Sequence, residues 1–145
     1  PVSARLRLQL SAEMWCGCDK GKKMFREHVE DYRAKGEAIR NAELFREHFA
    51  ISVCPSEGLD SPTVVGAQAA NELLNIIGVK ASFVLTDYRN TIYISARSID
   101  EINVQIVMER LGGGGHLNIA GAQLEHYSIT EAKECTETDF TENAR

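Results

Sequence analysis

Gly112, Gly113, Gly114 and Gly115 run without interruption into His116. Ordering a glycine in regular structure costs about 0.5–1 kcal/mol more than ordering an alanine, so four in a row imply positive φ angles or a close approach by backbone or ligand. Without side chains in the way, successive N–H groups can converge on an anion. An imidazole beside them can donate to a phosphate or a nucleobase. The run lacks the lysine and hydroxyl of a G-x-x-x-x-G-K-[ST] loop, and it follows a predicted helix where a dinucleotide fingerprint needs a strand. The same glycines also suit a hinge or a long helix C-cap. His28, His48 and His126 have no such neighbours and read as surface or structural residues.

Arg97 is the second candidate. It ends a predicted strand just before Ser98 and a predicted helix, which sets a planar, permanently charged donor near a helix N-terminus. An ion pair with Asp87 or Asp100 would account for it equally well. It joins the glycine run only if the fold brings the end of its strand to face that run. Other chemistries are missing: there is no H-E-x-x-H, no G-x-S-x-G and no Asp/His cluster with two-metal spacing. Cys16, Cys18, Cys54 and Cys135 form no zinc quartet and read as reduced thiols of a cytosolic protein.

The elements that must position these residues come from a chain of 145 residues, 43% hydrophobic and 26% charged, enough for one compact core. A net charge of -5 argues against a general polyanion-binding surface, so any anion site must be local. No apolar run approaches the length of a membrane span. The chain starts at Pro1 without a signal segment and reads as a piece of something longer.

From Lys20 to His48, Phe25, Val29, Tyr32, Gly36 and Ile39 recur at helical spacing, continued by Ala42 and Phe45, which predicts a long amphipathic connector helix or two joined at Gly36. Phe49 to Cys54 predicts a buried strand. Ser61 and Pro62 open a helix with the stripe Val65, Ala69, Leu73 and Ile76, closed by Gly78. Val79 to Thr86 and Thr91 to Arg97 predict a hairpin around the loop Asp87–Asn90, with Ile92, Ile94 and Ala96 on one face and Tyr93, Ser95 and Arg97 on the other. Ser98 and Glu101 form a capping box for a helix carrying Ile102, Ile106 and Leu111. A strand from Gln123 to Ile129 and a helix opened by Thr130 follow, and the acidic end is expected to fray. The sum is an α/β fold, a mixed β-sheet flanked by helices and preceded by a long N-terminal connector helix.

Ile94-Ser95-Ala96-Arg97-Ser98, Glu101-Ile102-Asn103-Val104 and Leu111-Gly112-Gly113-Gly114-Gly115-His116 resemble the DHH-associated domain of the DHH phosphoesterase superfamily, in particular the GdpP/YybT-type cyclic di-AMP phosphodiesterases. Asn41-Ala42-Glu43, Ala67-Gln68-Ala69-Ala70 and Ala81-Ser82-Phe83-Val84 extend the resemblance to roughly residues 22 to 134. It implies an unassigned segment 1–19, a connector 20–48 to an absent DHH lobe, a substrate-binding domain 49–134 and an acidic tail 135–145. It further implies that Arg97, Ser98, Gly113, Gly114, Gly115 and His116 contact substrate, while manganese sits on the absent lobe and this chain holds no metal or catalytic residue. The partners implied are a cyclic dinucleotide or short oligonucleotide, the protein's own DHH lobe and a second copy in a homodimer. The parent would sit at the cytoplasmic face of the membrane, anchored by N-terminal helices. Ile119 departs from the alanine common three positions after the histidine. The competing reading is a single-stranded nucleic-acid-binding module of a RecJ-like exonuclease, which needs a basic groove with aromatic platforms. Four basic against seven acidic residues between Phe49 and Leu124 favour a small anion over a long nucleic acid.

Overall fold

The computed structural model describes residues 28–143. The expectations for residues 1–19, for Cys16 and Cys18 and for the connector up to residue 27 lie outside the described residues. The elements are α1 (Val29–Arg40), β1 (Glu43–Phe45), β2 (Phe49–Cys54), α2 (Pro62–Leu73), β3 (Ala81–Tyr88), β4 (Thr91–Ser98), α3 (Val104–Arg110), β5 (Gly114–Gly115), β6 (Ile119–Glu125) and α4 (Ile129–Asn143). One mixed sheet runs in the order β1-β2-β3-β4-β6-β5. Only β2 and β3 pair in parallel, joined through α2 as a βαβ unit; the other neighbours are antiparallel.

Each face of the sheet has its own core. On one, Phe83, Leu85, Ile92, Ile94, Ala96, Ala120 and Ala122 pack with Val104, Val107 and Met108 of α3 and Phe140 of α4. On the other, Ala50 and Val84 pack with Ala34 and Ala38 of α1 and Val65, Ala69 and Leu73 of α2. Helices α1 and α2 stop short of the far half of this second face, where Ile119, Gln123 and Glu125 are exposed.

The strand alternation holds: Ile92, Ile94 and Ala96 are buried, and Tyr93, Ser95 and Arg97 face the α2 side, half-buried. The hairpin is tighter than the four-residue loop expected. Asp87 and Tyr88 stay in β3, and Arg89 and Asn90, with φ of 52° and 62°, make a two-residue turn whose twist matches that of the strands.

The helices differ more. Helix α1 ends at Arg40 and does not reach residue 48, because Phe45 enters edge strand β1 to pack against Phe49 and Phe83. Its buried face is Ala34 and Ala38, whereas Val29 and Tyr32 of the expected stripe are 62% and 68% exposed. Gly36 lies within one continuous helix. Small residues let α1 lie close to β2, where the Ser52 hydroxyl donates to the Ala38 carbonyl. Helix α2 ends at Leu73, leaving Ile76 exposed in the turn before Gly78.

Ser98 and Glu101 do not cap a helix. The N-cap of α3 is Asn103, whose Oδ1 accepts from the N–H groups of Gln105 at 3.0 Å and Ile106 at 3.3 Å, and Ile106 faces solvent. Asn103→Ala is expected to lower stability by about 1 kcal/mol, measured by urea denaturation, with Asn103→Ser close to neutral. The capping box lies instead at Ser128 and Glu131, each accepting from the other's N–H, so α4 opens before Thr130. The acidic end is helical through Asn143, anchored by buried Thr136 and Phe140. Cys54 is buried and Cys135 half-buried, both as free thiols. Burial, with Glu37 nearby, pushes the Cys54 thiol up to about 11.

Candidate functional site

The glycine run begins as a helix terminator. The Gly112 N–H donates to the Glu109 carbonyl and the Gly113 N–H to the Met108 carbonyl, and Gly112 takes φ +86°. This paired closure of α3 requires a left-handed residue at Gly112. Gly114 and Gly115 then form β5 against Gly121 and Ala120 of β6. A Cβ on Gly113 would lie 2.0 Å from the Gly121 carbonyl oxygen, and one on Gly115 2.4 Å from that of Ile119. A left-handed backbone at Gly112 and close backbone packing at Gly113 and Gly115 therefore account for three of the four glycines. Gly114 is different: a Cβ there meets nothing within 4 Å.

Strand β6 carries the site. Arg97 of β4 pairs with Ile119, and the His116 N–H donates to the Ile119 carbonyl at 2.7 Å. The backbones of Arg97 and His116 thus both meet that of Ile119, so the end of β4 and the end of the glycine run lie on either side of one residue of β6. Arg97 is held by three acceptors: its Nε donates to Asn71 Oδ1 at 3.1 Å, and its Nη1 to the carbonyls of Ala96 at 2.8 Å and Ala120 at 3.5 Å. The Nη2 group makes no protein hydrogen bond among the described residues. Desolvation by burial lowers the guanidinium pKa from its ordinary value, yet an arginine keeps its charge at any physiological pH. No carboxylate pairs with it in the described structure, so an anion can take that role. His116 is exposed at the end of β5.

Ser98, expected to touch substrate, alternates to the opposite face of β4 and is 5% exposed. Its hydroxyl donates to the Ile102 carbonyl at 2.6 Å and lies 3.0 Å from Asn118 Oδ1, while the Ser98 N–H donates to the Asn118 carbonyl. It braces the 116–118 loop from behind. Asn71 was not apparent from the sequence, because an exposed asparagine on a helix carries no local signal of the arginine it meets. Ile119, 55% exposed between Arg97 and His116, was noted only as a departure from a pattern.

A cavity of about 670 Å³ opens on the same face, lined by Thr63, Tyr93, Ser95, Gly113, Gly121 and Gln123 among others. It stops short of Arg97 and His116 by about one step along the strands. No three His, Cys, Asp or Glu side chains among the described residues could hold a metal ion, so the donor set here does not fit manganese. No helix among them is long and apolar enough to cross a membrane.

The mixed sheet ends in a glycine strand, with Arg97 on the strand at one side of β6 and His116 at the end of the strand at the other. Residues 48–139 match the model of the DHHA1 domain, and the chain belongs to that family. It is 38% identical over 113 residues to the cyclic-di-AMP phosphodiesterase PdeA of Listeria monocytogenes, which covers 77% of this chain and 17% of the relative. It is 41% identical over 115 residues to the cyclic-di-AMP phosphodiesterase GdpP of Bacillus subtilis, covering 78% of this chain and 18% of the relative. The chain therefore spans under a fifth of the length of these curated relatives. Among solved structures, an exopolyphosphatase-related protein from Bacteroides fragilis shares the fold with a TM-score of 0.73 at 21% identity, over 95% of this chain and 43% of that one.

Proposed function

We propose that this chain is the substrate-binding lobe of a phosphodiesterase that opens cyclic di-AMP to pApA. The observation that carries the proposal is the meeting of Arg97 and His116 at Ile119. The 38% and 41% identities to cyclic-di-AMP phosphodiesterases support the choice of substrate. In this reading the free Nη2 face of Arg97 takes a non-bridging phosphate oxygen through charge-assisted hydrogen bonds, which are shorter and stronger than neutral ones. Asn71 and the Ala96 carbonyl fix the plane of the guanidinium in advance, so little side-chain freedom is lost on binding. His116 donates to the same or the neighbouring phosphate. Ser98 acts at one remove, by holding the loop that follows His116.

Hydrolysis adds water across one P–O bond: phosphorus gains a hydroxyl oxygen, and the ribose oxygen leaves with a proton as a free hydroxyl. The lobe's contribution is to hold the phosphodiester in place and offset its charge. In this proposal manganese belongs to a DHH lobe that faces this one, where it would supply an activated water. Pairing with that lobe, a homodimer and a membrane-anchored parent belong to the same proposal.

Titration calorimetry of the chain with cyclic di-AMP and with pApA tests it. Arg97→Ala and His116→Ala are each expected to weaken binding roughly ten- to a hundredfold, since a hydrogen bond to a charged group contributes about 1.5–3 kcal/mol. Failure of the unaltered chain to bind either nucleotide, or full affinity in both variants, would overturn the assignment.

A further inference from the structure

Helix α1 carries a second stripe, turned away from the sheet. Its sheet-facing side is Ala34 and Ala38, both buried. Val29, Tyr32, Gly36 and Ile39 follow one another at intervals of three, four and three residues, the a/d spacing of a helix that packs along another helix. Two residues along a helix turn by about 200°, so Gly36 stands nearly opposite both buried alanines. Val29, Tyr32 and Gly36 are exposed, and Ile39 is half-buried toward α2. Two open grooves meet at Gly36. One, of about 400 Å³, is lined by Arg33, Gly36, Glu37, Arg40 and Asn41; the other, of about 150 Å³, by Tyr32, Lys35, Gly36, Ile39 and Glu72 of α2.

Two observations bear on what covers this stripe. Glycine weakens a helix interior relative to alanine, yet Gly36 has no positive φ and a Cβ there would meet nothing within 4 Å. Nothing among the described residues calls for a glycine, whereas one on an open helix face lets a second backbone come close. The other observation is charge. The e and g positions that flank the stripe are Arg33, Lys35 and Arg40, all basic, while Glu30, Asp31 and Glu37 fall at b and c. Arg33 meets Glu30 at 3.7 Å between exposed side chains, a weak pair. The Lys35 Nζ lies 5.2 Å from the Tyr32 ring centroid, which holds its charge beside the stripe.

We propose that this face of α1 docks an amphipathic helix of a partner protein, one whose apolar seam is flanked by Asp and Glu. Two other occupants bring the wrong charge. A second copy of this chain would set basic e and g positions against basic e and g positions, whether the helices ran parallel or antiparallel. Residues 1–27 carry six basic side chains against three acidic ones, the same sign as the flanks they would have to meet. Carboxylates on an incoming helix instead complement Arg33, Lys35 and Arg40, which outnumber Glu37 and Glu72 in the two grooves. The stripe shares no residue with the Arg97 site, so the docking stands apart from the phosphodiester reading.

The test titrates the complete 145-residue chain into a labelled synthetic peptide and reads fluorescence anisotropy. The peptide has about three heptads, with leucine at a and d and glutamate at e and g; a counterpart with lysine at e and g is the control. The acidic peptide is expected to bind, more weakly as salt rises, and the lysine peptide to stay free. Arg33→Glu combined with Arg40→Glu should weaken the acidic peptide about tenfold and admit the lysine peptide. Tyr32→Asp should abolish binding at an unchanged melting temperature, because that side chain is exposed. Gly36→Gln separates docking from folding. It should raise the melting temperature by about 2–4 °C, glutamine being the better helix former, yet weaken the acidic peptide about tenfold by holding the partner off. An acidic peptide that does not bind, equal binding of the two peptides, or unchanged affinity in Tyr32→Asp and Gly36→Gln would overturn the proposal. Sedimentation that finds the chain alone dimeric and Tyr32→Asp monomeric would also overturn it, since the face would then belong to a second copy.

Discussion

Phe140→Ala is expected to lower the free energy of unfolding by about 3–5 kcal/mol, read from urea denaturation at constant m-value. Phe140 is 1% exposed, with its ring centroid 4.4 Å from that of Phe49, 5.1 Å from Phe83 and 5.9 Å from Phe45. Three of these rings come from β1, β2 and β3, so one side chain of the last helix closes the end of the core over three strands. Truncation removes its buried area and leaves a void that fixed strands cannot collapse into, and both terms add. A domain of this size has about 5–15 kcal/mol of stability in all, so a loss of this size brings it close to unfolding. Tyr32→Ala serves as the internal comparison. At 68% exposure it should change stability by about 0.5 kcal/mol or less, although the helical spacing of the sequence ranks Tyr32 with the core. A large effect at Tyr32 with a small one at Phe140 would mean that Tyr32, and not Phe140, lies in the core.

That contrast shows where sequence reasoning holds and where it fails in this chain. β4 is legible because Ile92, Ile94 and Ala96 are buried in strict alternation with the more polar, half-buried Thr91, Tyr93, Ser95 and Arg97. The buried faces of α1 and α4 are hidden because Ala34 and Ala38 in the one, and Ala132 and Thr136 ahead of Phe140 in the other, are too small or too polar to register as a stripe. Thr136 is tolerated inside because its hydroxyl donates to the Ala132 carbonyl within the helix. Ser98-x-x-Glu101 and Ser128-x-x-Glu131 fit the same capping pattern, and only the sheet decides between them: Ser98 is already paired to Ala81 in β4. The site was half legible. Arg97 and the glycine-histidine run stand out by residue type, but their meeting depends on β6 lying between β4 and β5, a strand order that no local spacing encodes.

The four glycines yield the second large effect, because the structure gives them different reasons to be glycine. Gly113→Ala and Gly115→Ala are each expected to cost about 3 kcal/mol or more, since the new methyl would meet backbone of β6 and not a side chain able to turn away. At Gly115, φ of +148° adds backbone strain to the clash. The clash is relieved when β5 peels from β6, which breaks the pairing at Gly121 and Ala120 and releases the His116 N–H from Ile119. Stability and phosphate binding should therefore fall together in these two variants. Gly114→Ala should change stability by about 0.5–1 kcal/mol at most, because its methyl enters open space. Urea denaturation of the three variants, paired with phosphate titration, separates the cases. Equal effects at all three positions would mean that β5 is not held against β6 as described, and Arg97 and His116 would then lose the strand that brings them together.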